Sequence, residues 1–406
     1  MDQGAEARPA RATALAIAVQ AVGGGLGWSV LPPLMPDAAR ELSLSEGTIG
    51  LVWGAASLGI ALASPLGGAL VDRHGPRRVA SIALFIGAIA CAARAWATGP
   101  VSLGLTMLLF GAHVGCVAPA IPKLLAGHVP LARLGRANGL ALLGYTLGTA
   151  LTVLVARTML APALGGWRAT MLFAAAAMSV VAVVFATLAR DRGASAPHAS
   201  LGGSVALLAD RGLARVAVMH FCLFGGYLAM LGMLPRALLS FGVPVTSVGP
   251  VVAAWLLAAG IANVAGPSIS DRLARRRPVL IIGSLVAAGA LAAFALVPSH
   301  PWWLLAVAAL GGGSCAPLLF TLPLELPAIG AARAGAALGA LSLVGQIGGF
   351  LLPVVVGQLA GADGDYPLAF GALAVVHLLI APVALGLPER DAASAAAQHA
   401  SPAIAR

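Results

Sequence analysis

Charged residues are scarce in this chain. Asp, Glu, Lys and Arg make up only 9% of its 406 residues, against roughly 25% in soluble proteins, and lysine occurs once, at Lys123. Apolar side chains make up 60% of the residues, and the mean hydropathy is +0.95. This composition excludes a set of ordinary soluble domains, and we expect lipid to be the main solvent of the folded chain.

The chain also lacks the short motifs of common catalytic and metal-binding proteins. It contains no H-E-x-x-H, G-x-S-x-G or G-x-x-x-x-G-K-[ST] pattern, which argues against an intramembrane enzyme and an ATP-driven pump. Its four cysteines lie inside apolar runs and form no C-x-x-C pair, so we interpret them as small packing residues. They are Cys91, Cys116, Cys222 and Cys315. We therefore predict no enzyme activity, no metal site and no cofactor.

The basic residues are not arranged as in nucleic-acid-binding proteins. The formal net charge is +10, but the arginines lie in short loops between apolar segments, and no basic domain is available to dock on a duplex. We predict no nucleic-acid partner.

Long apolar runs are what the chain does contain. A helix needs about 20 apolar residues to cross the hydrocarbon core of a bilayer, and we count twelve such segments, the first of them predicted to be a retained helix rather than a signal peptide. They lie at about 12–35, 47–71, 79–97, 101–126, 137–160, 168–189, 213–238, 246–268, 278–297, 301–326, 334–358 and 367–387. The predicted fold class is an all-α polytopic membrane protein.

The longest polar interruption divides the twelve segments into six and six. It is RDRGASAPHASLGGS, residues 190–204, which reads as a flexible linker. We predict an N-terminal six-helix bundle at 1–189, a cytoplasmic linker at 190–212, a C-terminal six-helix bundle at 213–388 and a cytoplasmic tail at 389–406.

The distribution of arginine predicts the orientation in the membrane. If the N-terminus is cytoplasmic, eighteen arginines fall on the cytoplasmic side and five on the other, the five being Arg40, Arg94, Arg157, Arg168 and Arg236. Cytoplasmic loops of membrane proteins are enriched in Lys and Arg. We therefore predict that both termini are cytoplasmic, in a cell membrane of the bacterial inner or plasma type.

The two halves of the sequence resemble each other at an offset near 200. Residues 48–73 match 247–272, with an aliphatic residue and glycine near the start and Asp-Arg at the end. GCVAP at 115–119 matches GSCAP at 313–317, and GYTLG at 144–148 matches GQIGG at 345–349. Because each half begins and ends on the same side, we predict parallel repeats related by an axis along the membrane normal.

A cluster of charge interrupts the apolar sequence at GALVDRHGPRR, residues 68–78. The pattern G-x-x-x-D-R-x-G-x-R-R resembles the signature loop between helices 2 and 3 of the major facilitator superfamily of secondary transporters. Its residues are Gly68, Asp72, Arg73, Gly75, Arg77 and Arg78. A degraded second copy, GPSISDRLARRR, supplies Gly266, Asp271, Arg272 and Arg275. The resemblance covers nearly the whole chain and implies the fold of that superfamily.

The resemblance implies a conformational latch at this loop. Asp72 is expected at the membrane face, where it can accept hydrogen bonds from the free amides at the start of helix 11. By symmetry, Asp271 is expected to face the start of helix 5. Arg73 and Arg77 are expected to hold the Asp72 carboxylate and to anchor to anionic headgroups. Such bonds tie the two halves together on the cytoplasmic side, and breaking them lets that side open.

Polar residues deep in the helices are the candidates for a solute site between the halves. They are Gln20, Lys123, Tyr145, Thr149, His220, Tyr227 and Gln346. Two readings of Lys123 stay open: snorkelling to the inner surface, or attraction of an anionic group. His220 is either a proton-linked group or a partner in a hydrogen bond between helices.

Two departures from the drug-exporting members of the superfamily narrow the solute class. Helix 4 carries no Arg, and Thr149 stands where helix 5 of such exporters has Pro. The only candidate for a membrane-embedded acid is Glu325, near the end of helix 10. The spacing Pro119-x-x-x-Lys123 resembles the cyanate-transporter branch of the superfamily. These features favour a small anion as solute.

We therefore predict a secondary transporter of a small anionic solute, driven by a proton gradient or by exchange, and expect a monomer surrounded by membrane lipids. An exporter of a hydrophobic or amphipathic compound is the alternative with the same fold. A transporter-like sensor that binds without transport also stays open.

Overall fold

Twelve long helices make up a computed structural model that describes residues 3–191, 205–297, 299, 301–361 and 366–387. Each helix is long and apolar enough to cross a membrane. We number them α1 Pro9–Glu41, α2 Glu46–His74, α3 Pro76–Trp96, α4 Pro100–Ala126, α5 Arg133–Leu164, α6 Trp167–Leu188, α7 Arg211–Ser240, α8 Val245–Leu273, α9 Arg277–Leu296, α10 Trp303–Glu325, α11 Gly335–Ala360 and α12 Tyr366–Leu385. The described part of the chain contains no strand, so the predicted all-α polytopic fold is confirmed.

Most helices extend a few residues beyond the predicted apolar segments. The largest difference is at α1, which ends at Glu41 and not near residue 35. Hydropathy marks only the apolar part of a helix, whereas the backbone hydrogen bonds continue past it. The linker predicted at 190–212 is described only at 190–191 and 205–212, and the predicted tail at 389–406 lies outside the described residues.

Two helices contain a stretch of wider, π-helical turns. These stretches are Val19–Leu26 in α1 and Ala156–Leu160 in α5. Three glycines, residues 23–25, fall inside the first. Here α1 and α5 touch backbone to backbone: a Cβ on Gly148 would lie 2.3 Å from the carbonyl oxygen of Ala21.

The second half repeats this contact. A Cβ on Gly348 of α11 would lie 2.4 Å from the carbonyl oxygen of Phe221 on α7. Both residues are offset by 200 positions from Gly148 and Ala21. The internal repeat read from the sequence therefore extends to a specific pair of helix crossings.

The turn after the second helix of each half is also repeated. Gly75 ends α2 with a φ of +83°, a conformation that costs glycine little. Ala274, the equivalent residue after α8, adopts a left-handed φ of +51°. A left-handed alanine costs about 1–2 kcal/mol, so the second copy has kept the turn but not its preferred residue.

We call the membrane side at which α1 begins the terminal side, and the side at which α1 ends the distal side. One large apolar core lies toward the distal side and contains residues of both halves, among them Trp53, Leu228 and Val356. Toward the terminal side the apolar clusters separate. One belongs to α1–α6 and the linker start, and two belong to the second half. Among the described residues, the two halves thus share a buried apolar core toward the distal side, and each cluster toward the terminal side belongs to one half.

Candidate transport pathway

The distal closure is a close packing of α2 against α11. A Cβ on Gly50 would lie 2.2 Å from the carbonyl oxygen of Pro353, and a Cβ on Gly54 would lie 2.7 Å from that of Phe350. Gly357 similarly meets the carbonyl oxygen of Glu46. Because glycine lacks a Cβ, the two backbones can touch here. This contact holds the two halves together on the distal side.

A buried ionic cluster completes the distal closure. Glu46, the first residue of α2, is only 6% exposed. Arg236 of α7 forms an ion pair with its carboxylate, and the hydroxyl of Tyr366 on α12 donates a 2.6 Å hydrogen bond to Glu46 Oε2. A carboxylate of the first half is thus held by two side chains of the second. This cluster was not predicted from the sequence, because each member lies at a helix end, where polar residues are common.

Neutral polar and aromatic groups meet at the interface between the two halves. The phenol groups of Tyr145 on α5 and Tyr227 on α7 interact across the interface between the halves. The ring of Tyr227 stacks on Trp255 of α8, with ring centroids 5.4 Å apart. Gly24 of α1 packs against the Tyr145 ring and lies beside the Gln20 side-chain oxygen. The structure therefore brings together three of the predicted site residues.

Two further predicted residues bring polar side chains into the buried part of the bundle. Thr149 is buried one turn from Tyr145 on α5, and its hydroxyl interacts with the Tyr145 phenol group. The side-chain oxygen of Gln346 on α11 is buried without a hydrogen-bond partner among the described residues. Buried polar atoms are usually hydrogen-bonded, so Gln346 is the predicted site residue whose polar atom lacks the usual partner.

His220 has a different environment. Its ring stacks on Phe224 and meets Phe320 edge-on, with centroids 5.4 Å and 5.1 Å away. It also fills the space over Gly345 of α11. The ring is 5% exposed and packs between α7, α10 and α11, so the observed contacts are those of a packing residue.

On the terminal side of the first half, Asp72 pairs with Lys123 of α4. The two side chains are 17% and 22% exposed, so this ion pair lies at the edge of the membrane. Lys123 lies one turn from the terminal-side end of α4, and its charge is balanced by the Asp72 carboxylate.

Arg77 does not hold the Asp72 carboxylate, contrary to the expectation from the loop motif. Its guanidinium donates to the carbonyl oxygen of Ala186 on α6, at 2.9 Å and 2.6 Å. The Arg77 amide donates to Asp191, at 2.7 Å. Arg77 therefore fastens the start of α3 to the end of α6. Arg73 and Arg78 are exposed beside it.

The glycines in and beside the loop motif have two different roles: some allow two helices to pack closely, and Gly75 forms the turn. The approach of α2 to α4 is made by Gly67, whose Cβ would lie 2.7 Å from Cys116 Cα, one residue before the buried Gly68. Gly266 makes the equivalent contact in the second half, 2.3 Å from the carbonyl oxygen of Ser314 on α10.

The second copy of the loop has a different charge arrangement. Arg276, equivalent to Arg77, bridges Asp271 at 2.5 Å and Glu325 of α10 at 2.9 Å. Asp271 remains 66% exposed, and a Cβ on Gly139 near the start of α5 would meet no atom within 4 Å. Asp271 is therefore not docked there. Arg272 and Arg275 are exposed, and the bridging role falls to Arg276.

One arginine lies at the distal end of its helix, α3, but is buried and not exposed in a loop as predicted. Arg94, counted above among the distal loop charges, is 0% exposed and points into the first half. Its Nη1 donates to the carbonyl oxygen of Gly27 at 2.9 Å, and its guanidinium carbon lies 4.4 Å from the centre of the Phe110 ring. The sequence could have signalled this, because Arg94 precedes the end of the apolar run of α3.

Comparison with known proteins agrees with this architecture. The family model described as Major Facilitator Superfamily matches residues 17–353 and again 216–405. The chain is 28% identical to the "Probable nitrate/nitrite transporter NarK2" of Mycobacterium tuberculosis, over 90% of this chain and 93% of that protein. It is 31% identical to the "Chloramphenicol resistance protein" of Streptomyces lividans, over 90% and 94%.

Among solved structures, a bacterial homolog of the human lysosomal transporter Spinster, in an inward-facing and unoccupied conformation, shares the fold. The TM-score is 0.79 at 15% identity, over 95% of this chain and 97% of that one. Twelve membrane-spanning helices, a repeated six-helix unit and a match over nearly the whole length lead to one conclusion. The chain belongs to the Major Facilitator Superfamily, and it is a multi-pass membrane transporter of a small-molecule solute and not an enzyme.

Proposed function

We propose that the protein transports a small anion by alternating access. The observation that carries this proposal is the charge of the membrane interior. The buried polar side chains include Arg94 and three histidines, whereas the one buried carboxylate among the described residues is Glu46, at the first residue of α2. Glu46 is already paired with Arg236, so the remaining buried titratable side chains named here are basic, which favours an anion over a cation. The curated relative named for nitrate and nitrite supports the same solute class.

The shared distal core and the separate terminal cores support a rocking mechanism. With the terminal side assigned to the cytoplasm by the excess of arginine, the proposed state of this structure is the inward-facing one. In the outward-facing state the Glu46–Arg236 contact is broken, and Asp72 exchanges Lys123 for the start of α11. The solute site lies between Tyr145, Tyr227 and Gln346, and a proton gradient or exchange drives the cycle. The location is a bacterial inner or plasma membrane, and the working unit is a monomer.

The experiment that tests this proposal is uptake into proteoliposomes. Labelled nitrate, nitrite, cyanate and small carboxylates are offered with and without an inward proton gradient, using empty vesicles as the control. Saturable uptake of one anion, stimulated by the gradient or by trapped unlabelled anion, is the expected result. If vesicles that contain folded protein accumulate none of these anions, the small-anion proposal fails.

An exporter of an amphipathic compound is the second candidate. The neutral, aromatic lining formed by Tyr145, Tyr227 and Trp255 favours it, and so does the 31% identity to a protein named for chloramphenicol resistance. Inverted membrane vesicles distinguish the two functions: only an exporter of this kind accumulates labelled chloramphenicol in them.

A further inference from the structure

A positive charge without a counter-charge lies inside the first half of the molecule. Arg94 is completely buried, and no carboxylate among the described residues pairs with it. Phe110, beneath its guanidinium, is ten residues from the start of α4, about 15 Å along the helix axis. The guanidinium therefore lies below the distal ends of the membrane-spanning helices, although Arg94 itself is the last residue of the regular helix Pro76–Arg94. Ionisable residues at such depth are rare and usually functional.

The local hydrogen bonds use only part of the guanidinium. Nη1 donates to the carbonyl oxygen of Gly27 and contacts Cys91 Sγ at 3.7 Å. Nε and Nη2 have no hydrogen-bond partner. Bonding one carbonyl does not require a charge, and burying an unpaired cation is costly. The retained charge and the two unused donors therefore call for an anion.

A third hydrogen-bond donor without a partner, the indole N–H of Trp28, lies near the Phe110 ring. Trp28 Nε1 is buried without a partner, and the Trp28 ring lies 6.1 Å from the Phe110 ring, which also carries the Arg94 guanidinium. His113 meets Phe110 edge-on at 5.2 Å, and its Nδ1 lies 2.8 Å from the carbonyl oxygen of Ala83. The titratable groups near Arg94 are thus His113 and Cys91, and neither of them is a carboxylate that could balance its charge.

The cover over this cluster is tied to the distal closure. Trp28 packs edge-on against Trp53 of α2, with centroids 5.3 Å apart. Trp53 Nε1 donates a 2.8 Å hydrogen bond to the carbonyl oxygen of Leu228, in the other half. When the halves part on the distal side, Trp53 loses this bond and Trp28 loses its support. Arg94 then becomes reachable from the pathway.

We propose that Arg94, with Trp28 Nε1, binds a small monoanion when the distal side opens. This inference rests on the proposed anion transport and names the cation that recognises the solute. The guanidinium contributes charge and two parallel N–H donors, which suit a planar oxyanion or carboxylate. In the distal-closed state the same donors are shielded by Trp28 and Phe110, so the bound anion is released toward the terminal side.

The test is anion-dependent thermal stability of the purified full-length protein. Sodium nitrate, nitrite, cyanate and formate are titrated against sodium gluconate at constant ionic strength, and unfolding is followed with a thiol-reactive dye. For the wild type we expect a saturable rise in Tm with at least one anion. Arg94→Met is expected to raise the half-saturating concentration at least about tenfold, as loss of a charge-assisted hydrogen bond implies. Arg94→Lys is expected to keep part of the response.

Two further variants make the result specific. Trp28→Phe removes one donor and no charge, and we expect a weakening of a few-fold. Arg40→Met removes an exposed arginine on the same side and is expected to respond as the wild type does. A wild-type response that Arg94→Met leaves unchanged, or no response of the wild type to any of the four anions, would overturn the inference. If Arg94→Met does not fold, Arg94→Lys and Trp28→Phe decide in the same way.

The outcome is separable from that of the uptake experiment. If the wild type accumulates an anion and Arg94→Met does so equally well, anion transport stands and the Arg94 site fails. If Arg94→Met abolishes the stabilisation by nitrate but no anion crosses the membrane with the wild type, the site stands and the proposed transport fails.

Discussion

The two sides of the membrane use charge in opposite ways. On the distal side, Glu46 of the first half is paired with Arg236 of the second, and both are nearly buried. On the terminal side, Asp72 pairs with Lys123 and Arg276 pairs with Asp271 and Glu325, each within one half. An ion pair between the halves stabilises their contact, whereas an ion pair within a half leaves the halves free to separate. The Glu46–Arg236 pair therefore helps to hold the two halves together on the distal side.

Spin-label distances measure this difference directly. Labels on cysteines replacing Thr98 and Thr246 report on the distal side, and labels replacing Ala126 and Leu273 report on the terminal side; all four residues are exposed. Three of the native cysteines are buried, and Cys116 is partly exposed, so Cys116→Ala is the background for labelling.

The largest effect is expected from Glu46→Ala. Removing one partner of a buried ion pair costs about 3–5 kcal/mol, and in the distal-open state Arg236 is solvated and loses much less. A change of about 5.5 kcal/mol inverts a 99:1 population completely, so a change of about 3–5 kcal/mol is enough to move most molecules to the distal-open state. The distal labels should therefore move apart. Glu41→Ala is the matched control, because Glu41 binds Trp167 and Arg168 within its own half. Distal distances that stay unchanged in Glu46→Ala would show that the pair does not hold the closure.

The next largest effect is expected from Gly50→Ala. The new Cβ would lie 2.2 Å from the backbone oxygen of Pro353, and a backbone atom cannot rotate away. Overpacking of this kind costs about 1–3 kcal/mol, all of it in the distal-closed state. We expect a larger distal-open fraction and slower transport. Gly335→Ala, where a Cβ meets nothing within 4 Å, should leave the distal distances as they are.

Much of the fold could be predicted from the sequence, because its signals are long apolar runs and an internal repeat. Apolar length located all twelve helices, and the offset near 200 predicted the repeat that places Gly148 and Gly348 at equivalent crossings. The loop motif identified the superfamily because its spacing is specific. These signals are local in sequence or recur at a fixed distance.

Partners distant in sequence were not predictable in the same way. Arg94 was placed with the distal loop charges, because composition shows that a residue is near a helix end but not which way its side chain points. Likewise Glu46 and Arg236 are 190 residues apart and resemble ordinary helix-end charges. Lys123 was identified as unusual, but its partner Asp72 was assigned elsewhere. Pairing depends on helix rotation and tilt, which the packing of the whole bundle determines.

A moderate effect is expected from Asp72→Asn. The substitution loses the ion pair with Lys123 in this state and the proposed contact with the start of α11 in the other. A partly exposed pair contributes at most about 1 kcal/mol, whereas a charge at a helix N-terminus contributes about 0.3–1 kcal/mol, and up to ~2 when partly buried. We expect a shift of a few-fold toward the distal-closed state and slower uptake. Unchanged turnover in folded protein would rule out the latch.

The smallest effect is expected from Lys123→Met, and its sign is the informative part. Losing Lys123 removes the ion pair that favours the present position of Asp72, which favours the proposed contact of Asp72 with the start of α11. The terminal labels should therefore move closer together, opposite to the change in Asp72→Asn. Because the pair is at the membrane edge, the shift should not exceed about fivefold, the equivalent of ~1 kcal/mol. The double variant should resemble Asp72→Asn alone, since Lys123 acts here through Asp72. If Lys123→Met instead raises the KM of uptake without moving the labels, Lys123 contacts the anion itself, and its pairing with Asp72 is incidental to transport.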